Sequence, residues 1–164
     1  PDGTSRAVGS TAPPGRLDRP EQLPLTALPK QLRSLDALRP GPLGTVEVPG
    51  TIADNEVYVD AVAEPSRLYR DEAIAHPGAL LRLVNLVLMS NVDLGPWIHT
   101  ASDVRLLAPA RLPAAMSVRA KITETFSRKG SDYVRYTAVV AADDLPVMAV
   151  NHTAIYRLPA ISAG

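Results

Sequence analysis

Three histidines, at positions 76, 99 and 152, and no cysteine bound the chemistry open to this chain. Imidazole changes charge near neutral pH, so each histidine is a candidate acid or base. Their separations match no metal-ligand pattern. The absence of cysteine excludes disulfides, thiolate metal sites and cysteine catalysis. There is no glycine-rich nucleotide loop and no Gly-x-Ser-x-Gly elbow. His76-Pro77-Gly78 stands directly ahead of a long apolar run. Proline suits the first turn of a helix. Free amides at a helix start, with the positive end of the dipole behind them, suit a carbonyl oxygen that gains negative charge. Gly78 would let a substrate approach the backbone there, with His76 beside it as acid or base. A structural alternative stands next to this one: Pro77 and Gly78 start a helix and His76 caps it.

Asn85 is the main uncharged polar interruption of the run. It either holds a substrate oxygen or a water, or satisfies a backbone group across a buried contact. Asn91, Asp93 and His99 follow the run as a second polar cluster. His99 is a candidate substrate contact, while turn and capping roles suit Asn91 and Asp93. His152 falls inside the last apolar segment, where a structural histidine is the stronger reading. Trp97, the single tryptophan, is placed at an interface or a pocket mouth.

The elements that must position these residues follow from periodicity. Ala75 to Leu94 is apolar on nearly every side, broken only by Arg82 and Asn85 within Leu80 to Met89. A helix of that kind must be buried. Its apolar part is shorter than the ~18 residues of a membrane span, and it contains an arginine. The helix is predicted from near His76 to before Gly95-Pro96, a stop signal. Three long alternating segments follow a strand at His99 to Leu107. They are Ser117 to Phe126, Tyr133 to Ala141 and Pro146 to Arg157, joined by turns at Arg128-Lys129-Gly130-Ser131 and Asp143-Asp144. In the first of them Val118, Ala120, Ile122 and Phe126 oppose Arg119, Lys121, Thr123 and Thr125. Gly44 to Val48 is a further strand, Asn55 to Val62 a strand or a short helix, and Glu64 to Asp71 a loop. The class is α+β: one buried helix wrapped by a long antiparallel sheet.

At 164 residues a single domain is expected. Residues 1–22 read as a Pro/Gly-rich flexible arm and 23–42 as a partly helical covering segment, with helical character after Pro29. Residues 43–164 form the folded unit. A start at Pro1 rather than Met is expected of a trimmed chain. Aromatics make up only 4%, so Leu, Val and Ala must fill the core. The formal net charge of zero argues against nucleic acid or an anionic membrane as the main partner. The lack of a signal or spanning segment points to the cytoplasm.

The stretch Tyr58 to Asp71 (YVDAVAEPSRLYRD) resembles the entry loop of MaoC-like dehydratases and R-specific enoyl-CoA hydratases, which reads Gly-Asp-x-Asn-Pro-Leu-His. Ala75-His76-Pro77-Gly78-Ala79 resembles the opening of that family's central helix. Val104 to Pro113, Ser117 to Lys121 and the Arg128-Lys129-Gly130 turn resemble its later strands. The resemblance covers roughly residues 44 to 158 and implies a single hot-dog domain. It aligns the family's Asp with Glu64, its Asn with Ser66, its Pro with Arg67 and its His with Tyr69. In the family the Asp and His activate water for addition to an enoyl thioester, or run the reverse elimination. Glu64 and Tyr69 by this likeness, with His76 from the helix start, are the catalytic candidates; Ser66 by the likeness, with Gly78, Asn85 and His99 from the residues read above, are the substrate-binding ones. Glu64 keeps the carboxylate one methylene further out. A phenol holds its proton at neutral pH, so Tyr69 suits a hydrogen-bond donor or acid better than a base.

The resemblance implies an acyl thioester substrate, carried on coenzyme A or on the phosphopantetheine of an acyl carrier protein, and no further cofactor. The reaction implied is hydration, dehydration or a related lyase or cyclisation step in fatty-acid or polyketide metabolism. It also implies a homodimer or higher oligomer that completes its pockets from two subunits. Two other functions stand beside it. A hot-dog thioesterase usually places a carboxylate on the central helix, and none lies between His76 and Asn91 here. A non-catalytic acyl-binding or partner subunit would use the altered loop to shape a pocket. The Arg128-Lys129 pair is a solvated turn or a contact for the pantetheine phosphate.

Overall fold

The computed structural model describes residues 27–30 and 32–158. The expected arm at 1–22 lies outside the described residues. Two short strands, β1 (Gly41–Pro42) and β2 (Val46–Gly50), precede three helices, α1 (Ile52–Ala61), α2 (Leu68–Asp71) and α3 (Pro77–Asn91). Four strands follow: β3 (Ile98–Leu106), β4 (Ala114–Arg128), β5 (Ser131–Ala142) and β6 (Leu145–Arg157). All pairs are antiparallel, in the order β1-β4-β5-β6-β3, with β2 also pairing β4.

The long strands arise from tight reversals. Lys129 and Gly130 have φ of 51° and 77°, and Asp143 and Asp144 have φ of 46° and 67°. Two successive positive φ values match the right-handed twist of the strands they join. The Asp143 carboxylate also accepts the Ala115 amide at 2.8 Å, which ties the second turn to the start of β4.

α3 lies across one face of this sheet. Val84, Val87 and Leu88 are completely buried, and the Tyr136 hydroxyl donates to the Val84 carbonyl at 3.0 Å. Burial pushes the Tyr136 phenol pKa well above its ordinary value. The helix is not buried on every side, however. Arg82 is exposed and Met89 is 51% exposed. The second apolar stripe, with Leu83 and Leu86, packs against the edge of the core and also lines a cavity. A helix apolar all round here serves a core and a cavity at once.

Of the two alternatives for Asn55 to Val62, the helical one holds: it falls in α1 with Val62 as its C-cap, its spacing places Asn55 and Val59 inward, and the Thr51 hydroxyl caps the start by accepting the Asp54 amide. Two other expectations are corrected. Glu64 to Asp71 is not all loop, because Leu68–Asp71 closes a helical turn. The described part of the covering segment carries no α-helix after Pro29. It is extended, with one 3₁₀ turn at Leu35–Ala37. Its backbone bonds outward instead: Arg33 donates to Asn91 and Leu43 to Ala120. Gly41–Pro42 joins the sheet directly, so the segment and the hot-dog unit share strands. Asn91, fully buried, grips Gly44 through both its amide N–H and carbonyl and donates to the Val87 carbonyl. It fastens that segment to the end of α3 and stands apart from His99.

No described helix is long and apolar enough to cross a membrane.

Candidate active site

α1 ends in a left-handed alanine, Ala63 at φ 51°, and the Glu64 amide donates back to the Val59 carbonyl. This reversal is the usual way a helix stops, and it aims the Glu64 carboxylate at the start of α3. Ser66 steadies that carboxylate: its amide donates to Glu64 Oε1 at 2.9 Å. Glu64 Oε2 lies 3.3 Å from His76 Nε2. The other ring nitrogen, His76 Nδ1, accepts the Gly78 amide at 3.0 Å. A backbone N–H can only donate, so Nδ1 carries no proton in this contact and the neutral ring holds its proton on Nε2, toward Glu64. The pair is partly accessible, with side chains 17% and 23% exposed.

The imidazole is held between two aromatic rings. Its ring lies against Tyr69 (centroids 4.6 Å apart) and Tyr58 (5.2 Å). Asn55, 4% exposed, accepts the His76 amide at 2.8 Å and donates to the Tyr69 and Ile74 carbonyls. One side chain thus joins α1, α2 and the segment leading into α3. An Asp60–Arg70 ion pair ties α1 to α2 on the outer side.

Beside this cluster is a cavity of about 540 Å³ between α1, β2 and α3. Its wall is mainly apolar, including Leu80, Leu86, Met116 and Trp97, with Thr51, Asp54, Asn55, Tyr58, Arg82 and Asn85 as polar members. That volume is within the usual range for small-molecule sites. The Asn85 Oδ1 is buried and without a hydrogen-bond partner among the described residues. Tyr58 belongs to both places: it lines the cavity and touches His76.

Of the sequence candidates, Glu64, Ser66, Tyr69, His76 and Gly78 gather around one point. Asn85 stands in the cavity wall, and Trp97 does too. The free helix start is corrected. The Gly78 amide is taken by His76 Nδ1, and the Ala79 and Leu80 amides by the His76 carbonyl. The capping alternative therefore holds, and the α-carbon of Gly78 is covered by the Tyr58 hydroxyl. The Ser66 hydroxyl accepts the Leu68 amide at 3.3 Å, so it starts α2 and does not line the cavity. His99 is also corrected. It lies on β3, where its Nε2 is 3.0 Å from Ser102 Oγ and its ring stacks on His152, away from the cavity wall. Sequence reasoning missed Asn55 and Tyr58 as site residues. Their i, i+3 spacing on α1 was the available signal, but only the packing of α1 on α3 gives it meaning.

No family model matches the chain, and no curated protein matches its sequence. Solved structures do match its shape. R-hydratase PhaJ1 of Pseudomonas aeruginosa has a TM-score of 0.64 at 16% identity, over 79% of this chain and 95% of that one. The MaoC-like dehydratase of Rhodospirillum rubrum has a TM-score of 0.63 at 14% identity, over 76% and 97%. The ChsH1–ChsH2 complex of Mycobacterium tuberculosis has a TM-score of 0.61 at 11% identity, over 74% and 99%. The protein is an α+β hot-dog domain, and its structural neighbours include MaoC-like dehydratases and R-hydratases.

Proposed function

We propose that this protein acts on acyl thioesters as a hydratase or dehydratase, a hydro-lyase, with Glu64 and His76 as its working pair. The observation that carries the proposal is the Glu64–His76 contact, with the imidazole tautomer set by Gly78, beside an apolar cavity of about 540 Å³. The acyl chain lies in the cavity and the thioester head at Tyr58, the residue that both lines the cavity and touches His76, since Glu64 and His76 do not themselves line it. In the hydration direction the Glu64 carboxylate removes one proton from water. The water oxygen bonds the β-carbon, and the π pair moves through the α-carbon onto the thioester oxygen. The same carboxyl group returns its proton to the α-carbon, while the His76 Nε2–H holds the attacking oxygen. Dehydration is the reverse. The substrate is carried on coenzyme A or phosphopantetheine, in fatty-acid or polyketide metabolism in the cytoplasm, with an acyl carrier protein as a possible donor of substrate.

A second hot-dog domain, in the simplest case a second copy, belongs to the working unit. β3 is an edge strand with Ile98, Val104 and Leu106 exposed at 46%, 40% and 57%. A long edge strand with exposed apolar side chains is a template for pairing, and two structural neighbours, ChsH1–ChsH2 and HadBC, are two-component complexes.

A second reading, a non-catalytic partner subunit, draws on the capping of α3 and on Tyr58 standing between pair and cavity. Hydrolysis of the thioester is disfavoured, since α3 carries no carboxylate. Incubation with a panel of enoyl, 3-hydroxyacyl and saturated thioesters, followed by mass spectrometry, separates the three. Addition of one water to an enoyl thioester supports the proposal. Release of the free acid replaces it with a thioesterase, and binding without turnover replaces it with the partner subunit.

A further inference from the structure

We propose that the Tyr58 hydroxyl is the donor that polarises the thioester carbonyl, in place of the amides at the start of α3; this rests on the thioester reading above. Helix-start amides are ready-made donors for such an oxygen. Here those of Gly78 and Ala79 are already engaged by His76. A substitute must stand at the same place, reach the cavity and lack a partner of its own.

Tyr58 meets all three conditions. Its hydroxyl lies so close to the α-carbon of Gly78 that a methyl group there would collide with it. Its side chain is part of the cavity wall. The contacts found for it are through the ring, and its hydroxyl has no hydrogen-bond partner among the described residues. Tyr69, on the other tyrosine face of His76, does not line the cavity.

The electrostatics favour the same residue. A phenol that donates to a developing enolate takes on partial negative charge, and such donors are effective where water is excluded. The Arg82 guanidinium lies 5.8 Å from the centre of the Tyr58 ring and offsets that charge. Tyr58 keeps its proton throughout: it donates a hydrogen bond to the enolate oxygen and releases it when the α-carbon is protonated. No bond to Tyr58 forms or breaks. Glycine at 78 is required because any side chain would push the hydroxyl away.

The test is Tyr58→Phe in the full chain, which removes only the hydroxyl. With crotonyl-CoA, kcat is expected to fall by about 10²–10³-fold, with KM and thermal unfolding unchanged. Infrared spectra of carbonyl-labelled crotonyl-CoA and butyryl-CoA give a second readout that needs no turnover. Bound to the wild-type protein, the carbonyl band moves to lower frequency; bound to Tyr58→Phe, it returns toward its solution position. An unchanged kcat in the variant, an equal band shift in both proteins, or no shift in the wild type overturns the proposal. A wild type without turnover but with a Tyr58-dependent shift sinks the hydratase reading and keeps the donor. Turnover that ignores Tyr58 sinks the donor and keeps the reading.

Discussion

His76 lies between two tyrosine rings at the start of α3, and His152 lies between Tyr136 and His99 on the sheet. Both have ring neighbours with centroids 4.2–5.2 Å away, yet their polar partners differ. His76 has a carboxylate on Nε2 and a backbone amide on Nδ1. His152 has only the Ser102 hydroxyl on Nδ1, at 2.8 Å, and no partner on Nε2 among the described residues. His152 is 1% exposed, and burial, aided by the charge of His99, lowers its pKa to about 4. It is therefore neutral at ordinary pH and closed to a substrate. An imidazole becomes useful for proton transfer when a carboxylate faces it and part of it stays open; sealed without one, it holds strands together.

The comparison breaks most visibly in activity. Glu64→Gln or His76→Ala is expected to lower turnover by about 10²–10⁴-fold, the usual worth of a positioned acid or base. His152→Gln should retain turnover and lose stability. Steady-state rates beside thermal melts decide the matter, and equal losses of turnover at the two histidines would erase the distinction.

Acid should act on His152 with a defined sign. Its folded pKa of about 4 lies below the ordinary histidine value of about 6.5, so the unfolded chain binds the proton first. The stabilising effect is complete above about pH 6.5 and fades as pH falls to about 4. The loss approaches about 3–4 kcal/mol, at about 1.4 kcal/mol for each unit of difference. Denaturant midpoints measured across this window should slope downward toward acid in the wild type and less steeply in His152→Gln. A slope of the same size in both would remove His152 from the account.

Ser102→Ala would leave His152 Nδ1 buried without its partner, at a cost of about 1–3 kcal/mol. Turnover should be untouched, which an enoyl thioester assay checks against urea unfolding. The smallest expected effect separates the two jobs of His76. His76→Asn keeps a side chain that caps helices well, so stability should stay within about 1 kcal/mol of wild type while turnover is lost. A large drop in melting temperature would mean that the ring packs more than it caps.

Much of the fold was legible in the chain. Alternation from Ser117 to Arg157 and the two turn pairs marked β4, β5 and β6, because strand period and turn chemistry are local properties. Pro77 and the Gly95-Pro96 stop bounded α3 for the same reason. The chain did not say which apolar stripe of α3 meets the sheet. Leu88 is completely buried while Leu83 and Leu86 face the cavity, and all three are leucines. The candidate site was legible as a neighbourhood, through Glu64, Tyr69 and His76. Asn55 and Tyr58 were not, since their value comes from contacts with a segment about twenty positions away.

By itself, then, the order of residues determined a long antiparallel sheet, one central helix, and a carboxylate and a histidine close in sequence. Tertiary structure alone decided that His76 closes the amides it precedes, that His99 belongs to His152, and that Tyr58 borders both cavity and imidazole. Periodicity is written along the chain, whereas hydrogen-bond partners and cavity walls exist only once separate elements pack.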